Sequence, residues 1–150
     1  PNLVLLGEDR DSTRLIFAEL AGKQSIREYK GKYVGNGVIV LQEGADDCII
    51  STMTVYNNYG STVEPTTAHQ MAIFGRATRT IVINCNVWAD GNDALALWAP
   101  GGNGMYYHAD LDLRCPGVDF LCPRGWCYAT RCSLYGDGRA LIWHDGRNDW

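Results

Sequence analysis

The chain has 150 residues, 46% of them apolar and 20% charged. That composition suits one globular domain with a real core and excludes a disordered chain. The net charge of −4 argues against a nucleic-acid partner, which calls for a basic face. No apolar run reaches the roughly 20 residues of a bilayer-spanning helix, so no membrane partner is expected.

Short alternating runs dominate from one end to the other. Residues 3–6, 15–17, 38–41, 48–55, 71–74, 80–85, 95–97, 105–113, 128–134 and 140–143 read as strands. They are rich in β-branched and aromatic residues and bounded by Gly, Asp or Asn. Residues 25–30 read as one short turn of helix. Two polar stretches, 21–37 and 57–68, interrupt the rhythm and read as loops on one face. The opening Pro1-Asn2-Leu3-Val4-Leu5-Leu6-Gly7 leads straight into a strand, so the chain reads as a mature protein or a piece cut from a longer one.

The strands do not pair off as hairpins, because no two runs flank a two-residue Asn-Gly or Asp-Gly turn. Similar units recur instead every roughly 20–30 residues, which is the signature of a solenoid. Aligning Cys85, Asp110 and Cys132 gives two successive steps within that interval. The predicted fold is therefore all-β, a single-stranded right-handed parallel β-helix, with an antiparallel sandwich as the alternative.

Two of these units end in aspartate, Asp93 and Asp119, one such interval apart. If coils of that length stack, the two carboxyl groups become neighbours on adjacent strands, roughly 5 Å apart. Two carboxyls that close resist joint ionisation, so one pKa is driven up. Such a pair suits one carboxylate as nucleophile and the other as general acid. Aspartate at a strand end also serves plain turns, where its side chain bonds nearby backbone N–H groups.

The six cysteines are Cys48, Cys85, Cys115, Cys122, Cys127 and Cys132. No C-x-x-C occurs, so the usual structural zinc spacing is absent. The even count favours disulfides and an oxidising compartment, secreted or periplasmic. The competing reading makes Cys85 and Cys132 buried thiols in a core ladder. Trp98 and Trp126 are candidate sugar-stacking residues, and Arg124 is a candidate contact for a substrate carboxylate, with Arg114 and Arg139 more simply surface residues. His108 and Asp110 alternate onto one side of a strand and are placed to bond each other. His69, His108 and His144 show no serine-esterase pattern.

Five segments in order resemble the pectin methylesterases. Pro1-Asn2-Leu3-Val4-Leu5-Leu6-Gly7 is similar to the family's first coil, and Ala68-His69-Gln70-Met71-Ala72-Ile73 to its Q-A-V-A-L strand. Gly91-Asn92-Asp93-Ala94-Leu95 resembles Y-Q-D-T-L, and Gly117-Val118-Asp119-Phe120-Leu121 resembles G-T-V-D-F-I-F-G. Residues 140–147 sit where the family carries T-A-Q-G-R. The resemblance implies Asp119 as nucleophile, Asp93 as acid and then base, and Gln70 and Asn92 as oxyanion donors. It implies hydrolysis of methyl esters on polygalacturonate, so methyl-esterified pectin or a related acidic polysaccharide as partner, with no metal, no organic cofactor and a monomeric enzyme. Asn92 stands where the family has Gln, and Pro123 where it has Gly. The family's orienting arginine in G-R-P-W belongs beyond residue 150, since Arg147 comes too early. On this reading residues 1–150 are one β-helix domain truncated at both ends, and the alternative is a degenerate β-helix that only binds acidic polysaccharide.

Overall fold

The structure, a computed structural model, describes residues 2–21, 28–29, 32–33 and 37–144. The strands in its main sheet all pair in parallel and wind as a single-stranded right-handed β-helix. The first coil holds β1 (Val4–Leu6) and β2 (Arg14–Phe17). It carries a two-stranded antiparallel excursion, β3 (Glu28–Tyr29) with β4 (Lys32–Tyr33), and closes with β5 (Gly37–Leu41). The second coil holds β6 (Ile49–Asn57), the four-residue helix α1 (Tyr59–Thr62) and β7 (Met71–Gly75). The third holds β8 (Thr80–Ala89) and β9 (Leu95–Trp98). The fourth holds β10 (Gly104–Ala109), β11 (Asp112–Arg114) and the start of β12 (Leu121–Thr130), and the fifth holds the rest of β12 with β13 (Ser133–Tyr135). Among the described residues no helix is long and apolar enough to cross a membrane.

Each coil has three facets. The first joins β1 with the leading halves of β6 and β8, then β10 and the trailing half of β12. The second joins β2 with the trailing halves of β6 and β8, then β11 and β13. The third joins β5, β7, β9 and the leading half of β12. Alternation turns every second residue inward, and parallel register stacks like on like. Val55, Val87, Leu113 and Leu134 form one inward ladder. Ile39, Ile73, Leu95 and Leu121 form another. Ile73, Val55, Val87, Leu95 and Leu113 are fully buried, and each contributes about 1.5–3 kcal/mol of burial.

A bend separates the first two facets at the same position of successive coils. Thr52, Asn84, Asp110 and Arg131 all take φ between 50° and 58° there. Gly7 holds that position in the first coil, where a Cβ would lie 2.1 Å from the Thr52 carbonyl oxygen. The bend explains where the structure departs from the expected strands. Runs 105–113 and 128–134 are each broken, at Asp110 and at Arg131. Asn86, Asp112 and Ser133 are level with one another. Cys85 therefore aligns with Leu111 rather than Asp110, which lengthens the first step and shortens the second. His108 faces the core with no exposure, and burial pushes its imidazole down to about 4. Asp110 instead forks outward to Arg131, accepting from Nε at 2.6 Å and Nη2 at 2.8 Å. The expected His108–Asp110 contact is therefore replaced, because the left-handed residue reverses the alternation.

Two further expectations give way. All six cysteines are free thiols rather than bridged; Cys85 is a buried member of the main core and Cys132 packs against it. Within the stretch read as a helical turn, Glu28–Tyr29 is a strand, since pairing with Lys32–Tyr33 satisfies its backbone. Residues 25–27 and 30 lie outside the described residues.

Candidate functional site

The turn from the second facet to the third carries the two aspartates. Leu95 pairs with Leu121, which puts Asp93 level with Asp119 on the next coil. The Asp93 N–H donates to the Val118 carbonyl at 3.2 Å. Both residues are left-handed, with φ of 64° and 63°, a conformation Asp tolerates better than most residues. Adjacent parallel strands hold their backbones about 4.8 Å apart, so the carboxyl groups are first neighbours.

Their surroundings differ. The Asp93 side chain is 4% exposed, whereas Asp119 is half-buried. Burial, reinforced by the neighbouring Asp119 and opposed by His69, pushes the Asp93 carboxyl up to about 6. Burial also raises Asp119, with His69 again opposing. His69 Nε2 lies 3.1 Å from Asp93 Oδ2 and is itself well exposed. The Cys122 thiol donates to the Asp119 carbonyl oxygen at 2.9 Å and more distantly to Asp93 Oδ1 at 3.7 Å. Burial raises that thiol far above its ordinary range, and the two carboxylates raise it further, so it stays a proton donor rather than a nucleophile.

The two amides have structural partners. Gln70 is fully buried; its Nε2 donates to the Thr66 carbonyl at 2.8 Å and its Oε1 accepts from the Gly60 N–H at 3.0 Å. It thereby ties the 58–68 excursion to the coil. Gly91 must be glycine beside it, since a Cβ there would meet the Ala68 carbonyl oxygen at 2.2 Å and Gln70 Nε2 at 2.7 Å. Asn92 Oδ1 accepts from the Val118 N–H of the next coil at 3.0 Å, a rung of an inter-coil ladder.

The third facet continues from the aspartates to an aromatic and a cation. Trp98 and Arg124 are register partners, and the Arg124 guanidinium stacks 4.7 Å from the Trp98 ring centroid. Phe74 and Trp143 meet Trp98 edge-on at 5.4 and 6.2 Å. Between this stack and the aspartates, Phe74, Ala96 and Cys122 form a small apolar strip with Met71. Trp126 stands apart from it. Gly125, with φ of 128°, turns β12 onto the first facet, and Trp126 lines a separate cavity of about 260 Å³ with Cys127 and His144. Residues 145–147, at the end of the last resemblance, lie outside the described residues.

His69 and Cys122 were not singled out from the sequence. The one available signal for His69 was its place immediately before Gln70. Among the described residues no group of three or more His, Cys, Asp or Glu is arranged to hold a metal ion. Compared with known proteins, the chain matches no family model, no curated sequence and no solved structure.

Proposed function

We propose that this β-helix holds an extended acidic polysaccharide along its third facet. The observation that carries the reading is the alignment of two unlike groups on the same two coils. Asp93 and Asp119 stand five residues before Trp98 and Arg124 on β9 and β12, about 17 Å at roughly 3.3 Å per residue. A guanidinium stacked on an indole offers a uronate both a planar donor for its carboxylate and an apolar plate for its ring. At the other end, Asp93 is protonated over much of the range below about pH 6. It then donates a hydrogen bond to a carboxylate or ester oxygen instead of repelling it. The partner class is pectin or a related uronate polymer, met outside the cell by a monomer.

A second reading, hydrolysis of the methyl esters, is favoured by the asymmetry of the aspartates. Asp119, the more accessible, would attack the ester carbonyl and expel methanol, with the buried Asp93 donating the proton to the leaving oxygen. Water activated by Asp93 would then cleave the acyl-enzyme anhydride. That reading needs donors for the oxyanion. Gln70, one of the two amides the resemblance names, is fully buried with its Nε2 already donating to the Thr66 carbonyl, and this makes binding the primary proposal.

Affinity electrophoresis through polygalacturonate and through highly methylated pectin, with methanol release assayed in parallel, separates the readings. Retention that falls about tenfold in Arg124→Ala, without methanol release, supports binding. Methanol release abolished by Asp119→Asn supports the esterase. Neither retention nor release by the folded protein overturns both.

A further inference from the structure

We infer that the second facet carries a separate site for a neutral, unsubstituted pyranose. This site does not rest on the acidic-polysaccharide reading. Its floor is an outward ladder that only the register reveals: Tyr56, Trp88, Arg114 and Tyr135 occupy one position on four successive coils. Tyr56 meets Trp88 edge-on at 6.1 Å. The Arg114 guanidinium lies 5.0 Å from the Trp88 centroid and 5.9 Å from that of Tyr135. With Asp90, Pro116 and Asp137 on the following turns, the ladder encloses a cavity of about 390 Å³, within the size range of small-ligand sites. A second cavity of about 500 Å³ shares Asp90 and Pro116 and extends beneath the 58–68 excursion, so the groove accommodates more than one ring.

Charge selects the ligand. Arg114 is forked to Asp112, whose carboxylate accepts from Nε at 2.7 Å and Nη2 at 2.6 Å. This fixes the guanidinium and leaves the Nη1 donors outside the fork. Asp90 is fixed too, accepting from the Tyr56 hydroxyl at 2.6 Å and the Ser61 N–H at 2.8 Å. Those two bonds use one oxygen each, and a carboxylate has about four acceptor positions. An anion entering the groove meets Asp90 and Asp137, while a cation meets Arg114. A neutral polyol satisfies both, its hydroxyls donating to the carboxylates and its ring oxygen accepting from Arg114. The C–H faces of a pyranose fit the flat apolar surfaces of Tyr135 and Pro116.

The test is an NMR titration of the full chain, following the Trp88 indole N–H, with β-1,4-linked hexaoses of glucose, xylose and galactose and with trigalacturonate. The expected result is saturable binding of at least one neutral hexaose, weakened about tenfold in Tyr135→Ala and also in Asp137→Asn, with polygalacturonate retention unchanged in Tyr135→Ala. Tyr135 is 75% exposed, so its truncation leaves the coils intact, which circular dichroism checks. The inference is overturned if no neutral hexaose saturates, if trigalacturonate alone moves the Trp88 signal, or if Tyr135→Ala binds the hexaose as tightly as the parent.

Discussion

Left-handed side chains occur at three bends of this solenoid among the described residues. Asn2, Asp47 and Arg79 mark the return from the third facet to the first, and the other two bends are filled differently from each other. Between the first and second facets the column reads Thr52, Asn84, Asp110, Arg131. The side chains stay at the surface and bond between coils: Asn84 donates to Thr52 Oγ1 at 3.3 Å, and Arg131 forks to Asp110. Between the second and third facets the left-handed pair is Asp93 and Asp119. A positive φ therefore does not demand aspartate in this fold, since threonine and arginine also adopt it. Nor does it demand burial, yet Asp93 is almost fully buried beside a second carboxyl. The first bend is accounted for by backbone geometry and surface bonding. The second keeps an ionisable group where ionisation is disfavoured, and that surplus over structural need makes it the candidate site.

Asp93→Asn is the sharpest way to break the comparison. The folded-state pKa of Asp93 is raised from 3.8 to about 6. Its contribution to stability is thus fully present below about pH 3.8 and is lost as pH rises through 6. Asparagine keeps the shape and tolerates the left-handed backbone without ever ionising. The variant should be more stable than the parent by about 3 kcal/mol at pH 7.5 and by only about 1 kcal/mol at pH 4.5, at 1.36 kcal/mol per unit. Urea denaturation at the two pH values measures it, and an equal gain at both would show that burial of the charge is not the cause. His108 has the opposite sign. Its depressed pKa makes stability fall as pH drops from about 6.5 towards 4, but that loss is common to both proteins and cancels in the difference.

His69→Gln tests the same site more gently. His69 holds both carboxyls down, so its removal should raise the Asp93 titration midpoint above 6 and lift Asp119 in the same direction. Carboxyl ¹³C NMR titration reads both midpoints. Unchanged midpoints would detach His69 from the pair.

The paired aspartates were legible in the sequence because the step between them is one true coil, and both sit in the turn that leads into a strand of the third facet. The solenoid was legible for a related reason: alternating runs recurred without hairpin turns. The register elsewhere was not. Along the second facet the step shortens with each coil, from Thr54 to Asn86, then to Asp112, then to Ser133. The 58–68 excursion lengthens one coil and nothing lengthens the last. Aligning Cys85 with Asp110 slips the register by one, since a left-handed residue inside a run leaves no mark in hydrophobic alternation. The Tyr56–Trp88–Arg114–Tyr135 ladder depends on all three unequal steps together, so no single period exposes it. The start of β12 at Leu121 was hidden by Pro123, which reads as a strand breaker although it pairs with Leu97 inside the sheet.

At the first bend the expected effects are smaller and of a different kind. Thr52 is β-branched, the class least suited to a positive φ. Thr52→Asn should therefore stabilise the fold by about 1 kcal/mol, part of the roughly 1–2 kcal/mol that a left-handed conformation costs an ordinary residue. Unlike Asp93→Asn, the gain should be the same at pH 4.5 and 7.5, because no buried charge is removed. Asp110→Asn should do least. It keeps a residue suited to the turn and removes only an exposed pairing with Arg131, which water and salt already weaken. Thermal melts at low and at about 1 M salt should show a small loss at low salt that disappears at high salt. A large loss that survives high salt would mean that the outer column also holds its coils together through charge, and the division between a structural bend and a functional one would fail.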